Sequence, residues 1–528
     1  MQKLAVSAES LALHRAMNQT QTAYPDTQSV AELYEAAAER WPRAQAVVQG
    51  EEWLSYRELN ERANVLAWHL IDAGVQPGNV VSVGLTRGLE LIVSLLAILK
   101  AGAAYLPIDL SWPSPRLEEL FQQSQSRWLL CGKSHSQELP SIRCVPVVLK
   151  ELRGGSISSP RGRASSQSIA YINFTSGSTG KPKGVPIQHR AIARLVFGAR
   201  YARLNPESRL LLLAPVTFDA ATFEIWGALL LGGTCVLYPE SFVKASRLQR
   251  VLEAQRITVL FLTTALFNAL IDEAPQTLAS VATILTGGEA HSLRHMRKAL
   301  QIYGSDRIVS VYGPTESTTF ATYYPVRCIG ADETALPIGF PIQNTRVYVI
   351  HQDVLCKAGE MGEVYLAGPG LSPGYLGLPE LNAERFLERD IDNRAERLYR
   401  TGDLGYLRAD GAVVFQGRAD DQVKINGFRI ELGEVAYHLN RHPDIQQSYV
   451  TVNDQTGEKY LLAFVVPRSP ECRAETLRQA LAASLPGYLV PARIELCERL
   501  PLSPTGKVDR QYLLSMLNPA GVESHEHQ

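Results

Sequence analysis

Apolar positions along the chain follow a helical spacing in some stretches and form short unbroken runs in others. Val30, Leu33, Tyr34, Ala37 and Ala38 recur at helical spacing behind Ser29-Val30-Ala31-Glu32, a capping-box pattern. Ser55-Tyr56-Arg57-Glu58 repeats that signal. Leu59, Ala63, Leu66, Ala67, Leu70 and Ile71 give the second helix its buried face, and Gly74 suits its C-terminal cap. A short strand is predicted between the two helices at Val47–Val48. Val80–Leu85 then reads as a buried strand, Leu89–Lys100 as a helix and Ala104–Ile108 as a further strand. Such alternation predicts parallel sheets covered by helices. Residues 1–28 read as a linker-like lead-in, with regular structure starting at Ser29.

Residues 153–168, polar and rich in Ser, Gly and Arg, read as a surface loop, after which the alternation resumes to about residue 325. From 335 to 416 short strands with Gly and Pro turns predict a β-rich subdomain. Beyond Gly417-Arg418, strands at Val423–Ile425, Ser448–Val452 and Tyr460–Val466 alternate with helices near 432–440 and 474–484. The fold class that follows is α/β. It has a large N-terminal domain (29–419) of packed, largely parallel sheets with helices plus a β-rich subdomain. A small α+β C-terminal domain (420–528) is joined to it.

Composition narrows the function. Of 528 residues, 45% are hydrophobic and 20% charged, which excludes a disordered chain. The net charge of -1 leaves no global basic field for nucleic acid or an anionic membrane, so any anion site is local. The seven cysteines form no CxxC and suggest neither a disulfide framework nor zinc ligation. No basic segment followed by an apolar run opens the chain, and Leu91–Leu99 falls far short of the ~20 residues that span a bilayer. A soluble cytoplasmic protein is expected.

The most informative segment is Phe174-Thr175-Ser176-Gly177-Ser178-Thr179-Gly180-Lys181-Pro182-Lys183-Gly184. A loop of Thr, Ser and Gly with two lysines, following a strand at Ile169–Phe174, offers backbone N–H groups and hydroxyls to phosphate oxygens. It is not a Walker loop. Thr175 stands where the first Gly should be, and Pro182 where the Ser or Thr magnesium ligand should be. A GxSxG occurs at Gly370-Leu-Ser372-Pro-Gly374, but Pro373 and the surrounding turns fit a turn, not a nucleophile elbow.

The loop resembles the signature of adenylate-forming enzymes: acyl-CoA synthetases, firefly luciferase and the adenylation domains of nonribosomal peptide synthetases. Further segments resemble the last branch. They are Leu54-Ser-Tyr-Arg-Glu-Leu59, Leu99-Lys-Ala-Gly-Ala-Ala-Tyr-Leu-Pro-Ile-Asp109, Phe218-Asp219, Tyr312-Gly-Pro-Thr-Glu316 and Tyr399-Arg-Thr-Gly-Asp-Leu404. The C-terminal set is Gly417-Arg-Ala-Asp-Asp-Gln-Val-Lys-Ile-Asn-Gly427, Arg429-Ile-Glu-Leu-Gly-Glu434, Leu485-Pro-Gly-Tyr488 and Gly506-Lys-Val-Asp-Arg510. The resemblance runs from about residue 25 to 515.

The resemblance implies attack of a carboxylate on the α-phosphate of ATP, with Mg²⁺, giving an acyl-adenylate and pyrophosphate. Such chemistry needs alignment and charge stabilisation, not a protein nucleophile. Thr175, Ser176, Gly177, Ser178, Thr179, Gly180 and Lys181 would hold the phosphates, with Thr179 the direct hydroxyl contact. Glu316 would help hold Mg²⁺. Gly288 would contact ATP, and Tyr312 would stack on adenine. Asp403 would accept the ribose hydroxyls and Arg418 contact the nucleotide. Lys507 would be catalytic, its ammonium stabilising charge at the α-phosphate. Asp420 would be the hinge between the adenylate-forming and thioester-forming poses. The residue two before Tyr312 is Ser310, where the family commonly has Asn.

The acyl group is read from the family's pocket positions, which fall on Asp219, Ala220, Phe223, Phe261, Leu285, Gly287, Val311, Thr319 and Phe320, with Lys507. Asp219 would pair the α-ammonium of an amino acid. A fatty-acid or aryl-acid enzyme has no use for that charge. An N-cap role for Asp219 is the local alternative. The remaining positions are apolar apart from Thr319, and three phenylalanines limit volume. A branched aliphatic side chain, Ile or Val, is expected, with modest discrimination.

The chain carries no Gly-Gly-x-Ser attachment site and no HHxxxDG condensation motif. It is therefore expected to load a peptidyl carrier protein in trans or within a larger synthetase. An MbtH-like partner is left open, as are two other classes: an acyl-CoA synthetase and a non-catalytic module that has kept the fold.

Overall fold

The computed structural model describes residues 2–132, 142–147, 155–177, 180–454, 459–502 and 508–517. The chain divides into two compact units. The first comprises Met1–Asp109, Phe121–Phe174 and Gly184–Asp420, and the second Leu110–Leu120, Thr175–Lys183 and Asp421–Gln528. Two stretches within the predicted N-terminal domain, one of them the phosphate-loop segment, therefore pack with the second unit.

The first unit contains three sheets among the described residues. In a nine-stranded sheet, Ile308–Tyr312, Thr283–Gly287, Val259–Thr263, Arg209–Leu212, Thr234–Leu237 and Gln45–Gln49 run parallel in that order. Antiparallel strands Thr322–Pro325 with Phe340–Pro341 and Glu52–Ser55 close its two edges. A six-stranded sheet holds the parallel strands Arg143–Pro146, Trp128–Cys131, Val80–Gly84, Ala104–Pro107 and Ile169–Thr175, with Lys183–Gln188 at its edge. Helix Leu89–Lys100, buried at every residue but Glu90, packs on strands of both sheets, as an all-round apolar helix must. The third sheet, seven-stranded and mainly antiparallel, is the predicted β-rich subdomain.

Local signals act as read. Ser29 and Ser55 both close capping boxes with Glu32 and Glu58. Gly74 ends its helix with φ +97°, while the N–H groups of Gly74 and Val75 reach the carbonyls of Ile71 and Leu70.

The lead-in differs from its reading. Gln2–Lys3 pairs with strand Phe386–Ile391, and Ala8–Met17 is a helix capped by Ser7. Its box uses Ser10 where a Glu is usual. Long-range bonds hold it: the N–H of Val349 donates to His14 Nε2 (3.2 Å) and Asn18 Nδ2 donates to the Val347 carbonyl (2.9 Å). Packing stabilises this helix more than its own periodicity does.

In the second unit, strands Gln422–Ile425 and Phe428–Glu431 form a hairpin. Its turn places Asn426 and Gly427 at φ +53° and +85°, the Asn-Gly geometry that suits strand twist. Strands Ile445–Asn453, Tyr460–Pro467 and Arg493–Leu496 form a sheet with helices Leu432–Asn440 and Ala474–Ala482 packed around Val435, Leu439, Val465 and Leu481.

Candidate active site

The parallel strands of the nine-stranded sheet end at the candidate residues, the edge where α/β sheets bind ligands. Tyr312 is the last residue of its strand. Gly287 ends the neighbouring one, and Gly288 follows it at φ +96°. Gly287 lies opposite Val311. A Cβ there would sit 2.1 Å from the Val311 carbonyl oxygen, so the pairing requires glycine.

Tyr312, Asp403, Arg418 and Asp420 come together. The Tyr312 hydroxyl and Arg418 Nη1 both donate to the buried Asp403 carboxylate. The other edge of the guanidinium holds Asp420, with Nε at 2.6 Å and Nη2 at 3.0 Å. Burial first, and the Asp403 charge second, push the Tyr312 phenol well above its usual range, so it stays a donor. Beside them the Ser310 hydroxyl lies 3.5 Å from His291 Nδ1.

A pocket-like apolar cluster lies next along the sheet. Phe261 and Leu285 are paired across their strands. The Phe320 ring lies 5.2 Å from Phe223 and 5.7 Å from Phe261. Ala220 and Val311 join the same buried core. Tyr201, which sequence reading missed, tilts against Phe223 at 5.7 Å and meets Phe320 edge-on at 5.5 Å. Asp219 precedes helix Ala220–Leu229 at the N-cap position, but its side chain makes no cap bond. That removes the bland reading of the residue. Its carbonyl accepts from Thr319 Oγ1 at 2.9 Å.

Glu316 is fully buried in a short 3₁₀ turn, Thr315–Ser317, and Tyr375 Oη donates to its Oε1 at 2.6 Å. The two residues that follow the turn, Thr318 and Thr319, have φ +56° and +66°. Left-handed backbone is costly for β-branched residues and concentrates at functional sites. Ser372 of the GxSxG is buried, donating to the Pro186 carbonyl at 2.8 Å, which agrees with a turn and leaves no exposed nucleophile.

The phosphate loop belongs to the second unit. Ser178 and Thr179 lie outside the described residues, as does Lys507. Thr175 ends its strand, Gly180 has φ +84°, and Lys181 is exposed. Ser176 Oγ donates to the Arg429 carbonyl (2.8 Å) and accepts from the Glu431 N–H (2.9 Å). The Gly177 N–H donates to Glu434 Oε2 at 3.0 Å. Lys183 pairs with Glu431 at 2.9 Å. Thus one loop hydroxyl and one loop amide are held here by the segment Arg429–Glu434, a partnership the loop sequence alone did not announce.

No group of three or more potential metal-ligating side chains occurs among the described residues. A magnesium ion carried with nucleotide phosphates needs only one or two carboxylates. Buried Glu316 supplies such a hard oxygen donor. All seven cysteines are free, and no helix among the described residues is long and apolar enough to cross a membrane.

Comparison with known proteins agrees with these features. The AMP-binding enzyme family model matches residues 34–376, and that of the AMP-binding enzyme C-terminal domain matches 434–507. Malpibaldin synthetase of Mortierella alpina is 41% identical over 505 residues, covering 94% of this chain. Bacitracin synthase 1 of Bacillus licheniformis is 40% identical over 511 residues, covering 96%. This chain spans only 9% and 10% of those synthetases. A solved nonribosomal peptide synthetase protein containing adenylation and PCP domains, bound to a vinylsulfonamide inhibitor, superposes with a TM-score of 0.87. It is 33% identical and covers 96% of this chain and 85% of its own. The chain belongs to the AMP-binding enzyme family, and within it to the adenylation domains of nonribosomal peptide synthetases.

Proposed function

We propose that this chain activates an α-amino acid with a branched aliphatic side chain, Ile or Val, and transfers it to a carrier protein. One oxygen of the amino-acid carboxylate attacks the α-phosphorus of ATP. The bond from that phosphorus to the bridging oxygen breaks, and pyrophosphate leaves. In the second step a phosphopantetheine thiol on the carrier attacks the acyl carbon, loses its proton and expels AMP. Asp403 accepts the ribose hydroxyls, Tyr312 stacks on adenine and Gly288 contacts ATP. Thr175–Lys181 hold the phosphates, and Lys507 stabilises charge at the α-phosphate. Glu316 would hold Mg²⁺, which when bound supplies charge neutralisation on the phosphates.

The observation that carries the reading is Asp219. Its carboxylate stands at the start of helix Ala220–Leu229, which carries Phe223, and Phe223 packs with Phe320, which in turn meets Phe261. That pairs an ammonium anchor with an apolar side-chain slot. Asp420, at the boundary between the two units, is assigned the hinge, with 29–419 as the core and 420–528 as the moving part. A peptidyl carrier protein is the proposed partner, since a structural relative contains adenylation and PCP domains together. An MbtH-like protein is a further candidate. Free cysteines and ATP dependence suit the cytoplasm.

The test is ATP–pyrophosphate exchange across the twenty amino acids, with Lys507→Ala and Asp219→Ala as controls. Exchange led by Ile or Val and weakened by both changes is expected. Exchange led by a charged or aromatic amino acid overturns the pocket assignment. Exchange with fatty acids alone selects acyl-CoA synthesis instead.

A further inference from the structure

Arg194 lies on helix His189–Val196 and is wholly buried, as are Ala191, Ile192, Leu195 and Val196 of the same helix. Its Nη1 donates to the Phe320 carbonyl at 2.8 Å and its Nη2 to the Ser317 carbonyl at 2.5 Å. Those carbonyls bracket Thr318 and Thr319, the two left-handed residues. The fork therefore spans the strained turn from one end to the other.

The space for it is built. A Cβ on Gly370 would lie 1.5 Å from Arg194 Nη2. The Gly370 carbonyl accepts from Thr318 Oγ1 at 2.7 Å, and Gln343 Nε2 donates to the carbonyls of Arg194 and Leu195, each at 2.9 Å. Burial lowers the guanidinium to about 10, so it stays charged near neutral pH. A buried charge is a poor route to stability alone, since well-packed apolar residues often do as well or better. Holding a backbone that would otherwise relax is a use that needs a planar, two-pronged donor.

On one side the turn continues to Glu316. On the other it carries Thr319, bonded to the Asp219 carbonyl, and Phe320, the centre of the aromatic cluster. We propose that Arg194 is a positioning residue that clamps turn 317–320 and thereby sets the geometry of the magnesium carboxylate and the amino-acid pocket together. This rests on the function proposed above, but the clamp itself can be tested without it.

Two variants separate the clamp from general stability. Arg194→Lys keeps the charge but loses the fork. Gly370→Ala keeps Arg194 but drives a methyl into its guanidinium. Hydrogen exchange should show at least about tenfold faster exchange at the Phe320 and Ala321 amides in both, with helix Ala220–Leu229 unchanged. In ATP–pyrophosphate exchange both should lose about 10²-fold in kcat/KM for the preferred amino acid. Both should also raise the Mg²⁺ concentration needed for half-maximal rate and narrow the preference over the next-best amino acid. Tyr34→Phe, which removes a buried bond to the Tyr56 carbonyl far from this turn along the chain, serves as the stability control. Unchanged protection at 320–321 overturns the clamp, whatever the enzyme activates. Altered protection with unchanged selectivity and Mg²⁺ dependence, or the same kinetic losses in Tyr34→Phe, overturns the positioning role. A wild-type chain inactive with every acid would sink the proposed function, and with it the kinetic role, while the exchange rates still decide the clamp.

Discussion

Asp403 and Arg418 face one another across the antiparallel pairing of strands Arg394–Leu407 and Val413–Arg418, and their side chains form an ion pair. The carboxylate also receives the Tyr312 hydroxyl. The carboxylate proposed to accept the ribose hydroxyls is thus held from two sides by donors. A second carboxylate, Asp420, also pairs with Arg418 at 2.6 Å.

Asp403→Asn removes the anion and replaces half of its acceptor capacity with a donor. Hydrogen bonds to a charged group contribute about 1.5–3 kcal/mol. The KM for ATP should therefore rise by roughly ten- to a hundredfold, with little change in the KM for the amino acid. Pyrophosphate-exchange kinetics with each substrate varied in turn will show this. An equal rise in both constants would contradict the ribose assignment.

Phe223 sets the size of the apolar cluster through its contact with Phe320 at 5.2 Å. Phe223→Ala should open space for a ring and shift preference from the proposed Ile or Val toward Phe by about ten- to a hundredfold in the ratio of kcat/KM values. The cavity should cost about 3–5 kcal/mol of stability. Competition between paired amino acids in one exchange assay reads the ratio directly.

The parts of the site legible in sequence are those that lie close together along the chain. The phosphate-loop composition, Tyr312 with Glu316, and the capping boxes of Ser29 and Ser55 are local patterns with local causes. What escaped reading joins distant residues: the direct bond of Tyr312 to Asp403, 91 positions on, and that of Arg194 to Phe320, 126 positions on. The available signal for the latter was Arg194 within the otherwise apolar run 191–196 of helix His189–Val196. The Ala8–Met17 helix escaped because its stabilising contacts are tertiary.

In the second unit, Arg116 Nη1 and Glu434 Oε1 form a buried pair at 2.8 Å, and Glu434 also receives the Gly177 N–H. Burial raises the Glu434 carboxyl above its ordinary range, while Arg116 pulls it back. Arg116→Met leaves that carboxylate buried without its cation, at a cost of about 3–5 kcal/mol. Hydrogen exchange should rise across helix Leu432–Asn440 while the nine-stranded sheet keeps its protection. The double change Arg116→Met with Glu434→Met should recover most of the loss, because it removes both charges. No recovery would mean that the Gly177 bond, not the ion pair, matters.

Buried histidines of the first unit, His14 and His189 among them, favour unfolding as pH falls. Nδ1 of His14 lies 2.9 Å from the Ser10 carbonyl and its Nε2 accepts from the Val349 N–H, so the ring is neutral with its proton on Nδ1. His189 Nδ1 accepts from the Val30 N–H at 3.0 Å, which ties down the first turn of helix Val30–Arg40. Protonating either accepting nitrogen would break its bond. Burial accordingly lowers His14 to about 4 and His189 to about 3. Both folded values lie below the unfolded value of 6.5. The unfolded chain therefore binds more protons between them, and stability falls as pH drops through 6.5 toward the folded values. Each histidine should remove about 1 kcal/mol between pH 7 and 5.5. Burial also raises the Glu224 carboxyl to about 8, which acts with the opposite sign over this range, so the histidines' share is read as the difference in urea-midpoint slope between the wild-type chain and each variant. His189→Gln should flatten the slope by the share of one proton. A slope unchanged in both His189→Gln and His14→Gln would show that other groups set the acid limit.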